Sequence, residues 1–132
     1  MNIYIIKVSM ANGALEFDPD ECAIEKNAEK SLIVWMLDDS LKGETFNPLG
    51  SEKPGFKWGK SSAVARRIFK KLNINDDKKC ISIEDHHVFS NDDSANTWSY
   101  EMHTAKYKTA IHSALDSKKE KRRRRPPVII NK

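Results

Sequence analysis

Leu32-Ile33-Val34-Trp35-Met36-Leu37 is the strongest strand signal in the chain, an unbroken apolar run ended by Asp38-Asp39-Ser40. Continuous rather than alternating apolar character predicts a strand buried on both faces. The segment Cys22 to Glu25 leads into it through the polar turn Lys26 to Lys30. Further upstream, Ile3 to Met10 is rich in β-formers, and Ala11-Asn12-Gly13 supplies turn chemistry. Ala14 to Phe17 then forms the returning strand, stopped by Pro19. The chain therefore begins as a β protein.

Downstream, residues 43–60 gather Pro48, Gly50, Pro54 and Gly55 in a loop, with Phe46, Phe56 and Trp58 interleaved. Such rings more often anchor a loop to a core than stack on a ligand. Val64, Ala65, Ile68, Phe69 and Leu72 share one face at helical spacing, with Ser61 or Ser62 as the N-cap. Arg66, Arg67, Lys70 and Lys71 occupy the opposite face of that predicted helix. Strand character returns over Cys80 to Ile83, extended by Val88 and Phe89, and Ser90 to Asn96 makes a turn. Trp98, Tyr100 and Met102 alternate with polar residues, as in a strand with one buried face. From 103 to 115 the signal is ambiguous, and the stripe Tyr107, Ala110, Ile111, Ala114 and Leu115 fits a second helix. A basic stretch, Pro126-Pro127 and a short terminal strand at Val128-Ile129-Ile130 close the chain.

The 132 residues fit a single domain large enough to bury one core. With 39% hydrophobic and 32% charged residues, the composition is that of a globular protein rather than a disordered one. No run approaches the roughly 20 apolar residues of a membrane helix. The apolar start is interrupted by Lys7 and lacks a small-residue cleavage site, so it reads as a strand and not as a signal peptide. Cys22 and Cys80 stand in no metal-like spacing and read as reduced, half-buried thiols of a cytoplasmic protein, although a disulfide between them stays open. The net charge of +4 conceals a division. Residues 1–56 hold 5 basic and 10 acidic side chains, a net of −5, whereas residues 57–132 hold 18 and 9, a net of +9.

Four landmarks carry a family resemblance: the Asn12-Gly13 turn leading to Asp18-Pro19, a Trp-bearing strand at Trp35, a Trp-x-Tyr strand at Trp98 and Tyr100, and the ending Pro127, Ile129, Ile130, Asn131. In these the chain resembles the small bacterial DP-EP family of β-sandwich proteins. It departs from the family pattern at Pro126, where an acid precedes the terminal proline in the family, and in the basic insert ahead of it. The resemblance implies a Greek-key-like antiparallel sandwich and brings no enzymatic activity with it.

Seven of the eight residues from 118 to 125 are cationic: Lys118, Lys119, Lys121, Arg122, Arg123, Arg124 and Arg125. Such an arm binds phosphates by charge attraction and counterion release, or pairs with an acidic protein, or simply remains solvated. Arg66, Arg67, Lys70 and Lys71 form a second basic surface, which lacks the aromatic platforms of single-strand recognition. Asp85-His86-His87 is the nearest approach to acid–base or metal chemistry, but neighbouring residues of a strand point to opposite faces. Asp18-Asp20-Glu21 and Asp92-Asp93 lack the Gly and terminal Glu of a calcium loop. Lys78 and Lys79 flank Cys80 and would lower its pKa, but no matched histidine makes it a nucleophile. Phosphate loops and nucleophile elbows are absent from the sequence.

The expectation is a mainly β, antiparallel Greek-key-like sandwich with one or two inserted helices, without catalytic residues, metal or cofactor. Its expected role is non-enzymatic: an accessory subunit docking onto a larger protein through edge strands, Val128 to Ile130 among them, and charged surfaces. Direct nucleic-acid binding by the arm and the basic helix is the alternative, and a metal-dependent hydrolase a distant third.

Overall fold

The pleat sends successive side chains to opposite faces, and wherever apolar residues alternate with polar ones the chain pairs into strands. A computed structural model describes residues 1–59, 62–90, 92–109 and 126–132. It contains β1 (Asn2–Ala11), β2 (Ala14–Asp18), β3 (Glu21–Ile24), β4 (Ser31–Leu37), β5 (Phe56–Trp58), α1 (Ser62–Ile68), β6 (Phe69–Ile74), β7 (Cys80–Asp85), β8 (Asn96–Met102) and β9 (Val128–Asn131). Single 3₁₀ turns lie at Asp39–Leu41 and Asp92–Ser94.

The strands form a five-stranded sheet in the order β2-β1-β4-β7-β6 and a four-stranded sheet in the order β3-β9-β8-β5. This is the β-sandwich expected from the sequence, but both sheets are mixed. β1 pairs with β4 in parallel, and β3 with β9 in parallel. The cause is topological: the chain leaves the first sheet after β2, contributes β3 to the second, and re-enters beside β1 in the same direction.

β4 lies at the centre of its sheet, yet only one of its faces is fully covered. Ser31, Ile33 and Trp35 point into the sandwich, whereas Leu32 and Val34 are half-buried and Met36 is exposed. The expected burial on both faces is thus corrected, because no second layer covers the outer side among the described residues.

The predicted helix reaches only Ile68. Ala65 and Ile68 are buried, but Phe69 already pairs with Asp85 as a strand residue. Continuing as a helix would have stacked Arg66 over Lys70 and Arg67 over Lys71, like charges one turn apart. Strand pairing with β7 removes that repulsion and satisfies the backbone. A bulge between Lys70 and Asn73, with Lys71 at φ +57°, absorbs the mismatch.

The predicted helix at 103–115 is also corrected where it is described. Residues 103–109 form bridges instead, His103 with Lys108, Phe46 with Thr104 and Leu15 with Thr109. The remainder of that prediction lies outside the described residues.

Aromatic rings join the two sheets. Trp35 of β4 packs with ring centroids 5.2 Å from Tyr100 of β8 and 4.9 Å from Phe56 of β5. Trp58 continues the cluster to Phe69 at 4.4 Å. The loop aromatics therefore do anchor residues 43–59 to the core, as the sequence suggests. Gly55 is required beside them, since a Cβ there would lie 2.5 Å from the Asn47 carbonyl oxygen. Trp35→Ala is expected to cost about 3–5 kcal/mol in urea unfolding, as for other large core deletions. A loss below about 1 kcal/mol would contradict this role of the ring.

Candidate functional site

Alternation in β1 and β4 creates the most conspicuous surface. Tyr4, Ile6 and Val8 face inward, which turns Ile3, Ile5 and Lys7 outward. The parallel register sets Ile3 beside Leu32, Ile5 beside Val34 and Lys7 beside Met36. Ile3 and Ile5 are 62% and 58% exposed, so five apolar side chains form one strip on the outer face of the larger sheet. On β2, Glu16 and Asp18 flank this strip and are exposed. On β6, Lys70 and Lys71 flank its other side.

Between the strip and β6 stands Glu84. Its carboxylate lies 3.2 Å from Lys30 Nζ, 3.2 Å from His86 Nε2 and 3.9 Å from Lys71 Nζ. Desolvation opposes its ionisation, but the hydrogen bonds from His86 and Lys30 and the Lys30 and Lys71 charges prevail, lowering its pKa.

The four cations read from the sequence as one helix face are divided: Arg66 and Arg67 end α1, and Lys70 and Lys71 belong to β6. All four are exposed. Lys118, Lys119, Lys121 and Arg122 to Arg125 lie outside the described residues. The terminal strand is real, but β9 sits between β3 and β8 rather than at an edge. Val128 to Ile130 therefore cannot recruit a partner by strand addition. Edge strand β6 carries lysines and a bulge, two devices that discourage pairing. Edge strands β3 and β5 have only four and three residues.

Asp85, His86 and His87 separate as the pleat demands. His86 turns outward to Glu84, whereas Asp85 and His87 are buried. His87 Nε2 lies 2.6 Å from the Lys132 carbonyl oxygen, so this nitrogen carries the proton and donates. Nδ1 then accepts from the Ser94 hydroxyl, which leaves a neutral ring satisfied at both ends. Desolvation lowers the His87 pKa and keeps it neutral.

Asn131 Nδ2 donates to Asp85 Oδ1 at 3.1 Å and to the Ser94 carbonyl at 3.0 Å. Asp85 Oδ2 and Asn131 Oδ1 are buried acceptors without a donor. A proton on Asp85 would supply one, and burial pushes this carboxyl up to about 7, against the weaker pull of the Asn131 and His87 hydrogen bonds. The cluster pins β9 to β7 and is not open to a substrate.

Both cysteine thiols are free, and burial pushes Cys22 up to about 11. Burial and Asp77 raise the Cys80 pKa, reversing the effect anticipated from Lys78 and Lys79. An open depression of about 490 Å³ lies among Leu37, Asp38, Leu41, Lys42 and Lys79, but the Asp38 carboxylate is engaged in capping Ser40. Among the described residues no group of three or more His, Cys, Asp or Glu side chains is arranged to hold a metal.

The chain matches no family model and no curated protein sequence. Among the described residues no helix is long and apolar enough to cross a membrane.

The outer strip was missed at the sequence level, although the alternation Ile3, Ile5, Lys7 against Tyr4, Ile6, Val8 was its signal. Asp85 was legible in the same way, as the third inward position after Ile81 and Ile83. Nothing in the sequence paired it with Asn131.

The two buried groups tilt stability in opposite directions with pH. Asp85, raised in the fold, loses stability as pH rises from about 4, the unfolded value, to about 7. His87, lowered in the fold, loses stability as pH falls below about 6.5. Asp85→Asn keeps the shape, supplies a donor to Asn131 and removes the first slope. Thermal melts are expected to show it stabilised at pH 8, on the order of a few kcal/mol, and declining in acid below pH ~6.5. Equal pH profiles for the two proteins would refute the protonated Asp85.

Proposed function

We propose that the chain is a non-enzymatic protein-binding module, an accessory subunit of a larger bacterial protein in the cytoplasm. The observation that supports this most is the apolar strip Ile3, Ile5, Leu32, Val34 and Met36, held between charged flanks. Contiguous exposed apolar surface with a polar rim favours a protein partner over a nucleic acid. The docking surface is accordingly a sheet face and not an edge strand. Similarity to the DP-EP sandwiches is in keeping with a small, non-catalytic subunit. Affinity capture from the native host tests the reading, with Arg66→Glu/Arg67→Glu and Ile5→Asp chains as controls. A partner retained in stoichiometric amount by the wild type and lost by either variant supports it. A chain recovered alone in every case refutes the accessory role.

A second reading is nucleic-acid binding, favoured by the joint exposure of Arg66, Arg67, Lys70 and Lys71 and by the seven cations between 118 and 125. Binding to generic DNA and RNA is then expected to weaken steeply with salt, and neutralising Lys118–Arg125 is expected to flatten the slope. Titration of both chains across a salt series measures this. Absence of salt-sensitive binding in both rules the reading out.

A further inference from the structure

We propose that Asp85 and Asn131 form a proton-operated latch, which holds the Asn131 end of β9 while Asp85 carries a proton and frees it when Asp85 ionises. The pair lies apart from the apolar strip, and the latch is independent of what that strip binds.

The two side chains themselves create the need for a proton. Asn131 Nδ2 donates to Asp85 Oδ1 at 3.1 Å, and both residues are buried. What remains of the pair is Asp85 Oδ2 and Asn131 Oδ1, both acceptors, and neither meets a donor. An acid beside an amide resolves this with one hydrogen, since the acid O–H donates to the amide oxygen while the amide N–H donates to the acid. An ionised carboxylate has no such hydrogen, so two acceptors are stranded and a buried charge is added. The groups around Asp85 do not relieve it. Tyr4 of β1 and Cys22 of β3 are acids whose own ionisation its charge opposes. Ser31 of β4 and Phe69 of β6 stand opposite it in register. The main-chain N–H of His87 donates to it, whereas Glu84 and His86 pair with each other on the outer face. Glu25 and Lys26 act on His87. Burial therefore prevails and raises the Asp85 pKa to about 7.

Topology decides which partner gives way. Asp85 lies on β7, between β4 and β6, and cannot move without breaking the larger sheet. β9 has four residues, and Asn131 is the last of them. Lifting that end lets water reach Asp85, an opening far smaller than unfolding of the whole chain. It uncovers Ala23 and Ile24 of β3 and Asn96 and Thr97 of β8, which Ile130 and Asn131 otherwise separate, so two strand edges become available together. Lys132 is held by His87 Nε2 at 2.6 Å, a tie that a neutral ring keeps as pH rises. The sign follows from linkage. Asp85 is raised in the closed form and returns to about 4 once hydrated, so opening is rarest in acid. It becomes more frequent as pH rises between those two values and levels off above about 7.

Native-state hydrogen exchange of the full chain, followed by NMR from about pH 5 to about pH 8 and in low urea, tests the latch. The amides of Ile130 to Lys132 are expected to exchange through a local opening, with a weaker urea dependence than those of Ile33 and Trp35 in β4. In Asp85→Asn an amide supplies the missing donor at every pH. Relative to that variant, the wild-type opening is expected to become at least about tenfold more frequent across the range and to level off above pH ~7. The comparison cancels the contribution of His87, which both proteins share. Should the variant fail to fold, the carboxyl carbon resonance of Asp85 in the wild type is the second readout, with a midpoint expected near pH ~7. A midpoint near pH ~4 overturns the latch, as does a β9 opening that keeps a constant ratio to that of Asp85→Asn. Amides of β9 that share the urea dependence of β4 open only with the whole protein, and they overturn it too.

Discussion

The sandwich depends on the contact of Trp35 with Tyr100 and Phe56, since these rings join the central strand of one sheet to two strands of the other. Each ring removes a large apolar area from water, and the tilted and edge-on geometries add to that burial. Around this centre the chain has to solve one problem repeatedly, the placement of polar groups that the core would otherwise strand. Asp85, Asn131, His87 and Ser94 meet it in part by bonding to one another and to the main-chain oxygens of Ser94 and Lys132, leaving Asp85 Oδ2 and Asn131 Oδ1 to be satisfied by a proton on Asp85. Their partners come from β7, β9 and the turn between β7 and β8, so the polar cluster ties the far end of the chain to the middle.

Short-range pattern made much of this legible. The strands around Val34, Ile81 and Trp98 follow from local apolar content, and the ring-bearing loop anchors where its aromatics imply. The misreadings share a physical cause, which is competition from non-local pairing. Residues 62–72 have helical spacing, yet Phe69 finds a strand partner in Asp85 and the helix stops. The segment beginning at His103 has a helical stripe, but its backbone is taken up by Phe46, Leu15 and its own return at Lys108. Continuous apolar character in β4 suggests two covered faces, and the sequence holds no sign that one side lacks a second layer.

The same distinction separates what was readable of the candidate surface from what was not. Charge runs are visible as strings of letters, and the imbalance between the halves of the chain is plain from counting. Their placement is not. Arg67 and Lys71 are four positions apart and belong to different kinds of element, whereas Glu16 and Lys70 mark opposite margins of one sheet. Register, rather than composition, converts scattered charges into a face with two unlike sides.

The internal position of β9 has a temporal consequence. Strands β3 and β8 are separated in space by the four residues Val128 to Asn131, so the smaller sheet has a gap until those residues emerge from the ribosome. During synthesis the two strands carry unpaired backbone on sides that the finished protein covers, a state in which chains pair wrongly with one another. Closure of the smaller sheet therefore waits for Val128 to Asn131, and a chain arrested before Val128 would lack the strand that joins β3 to β8.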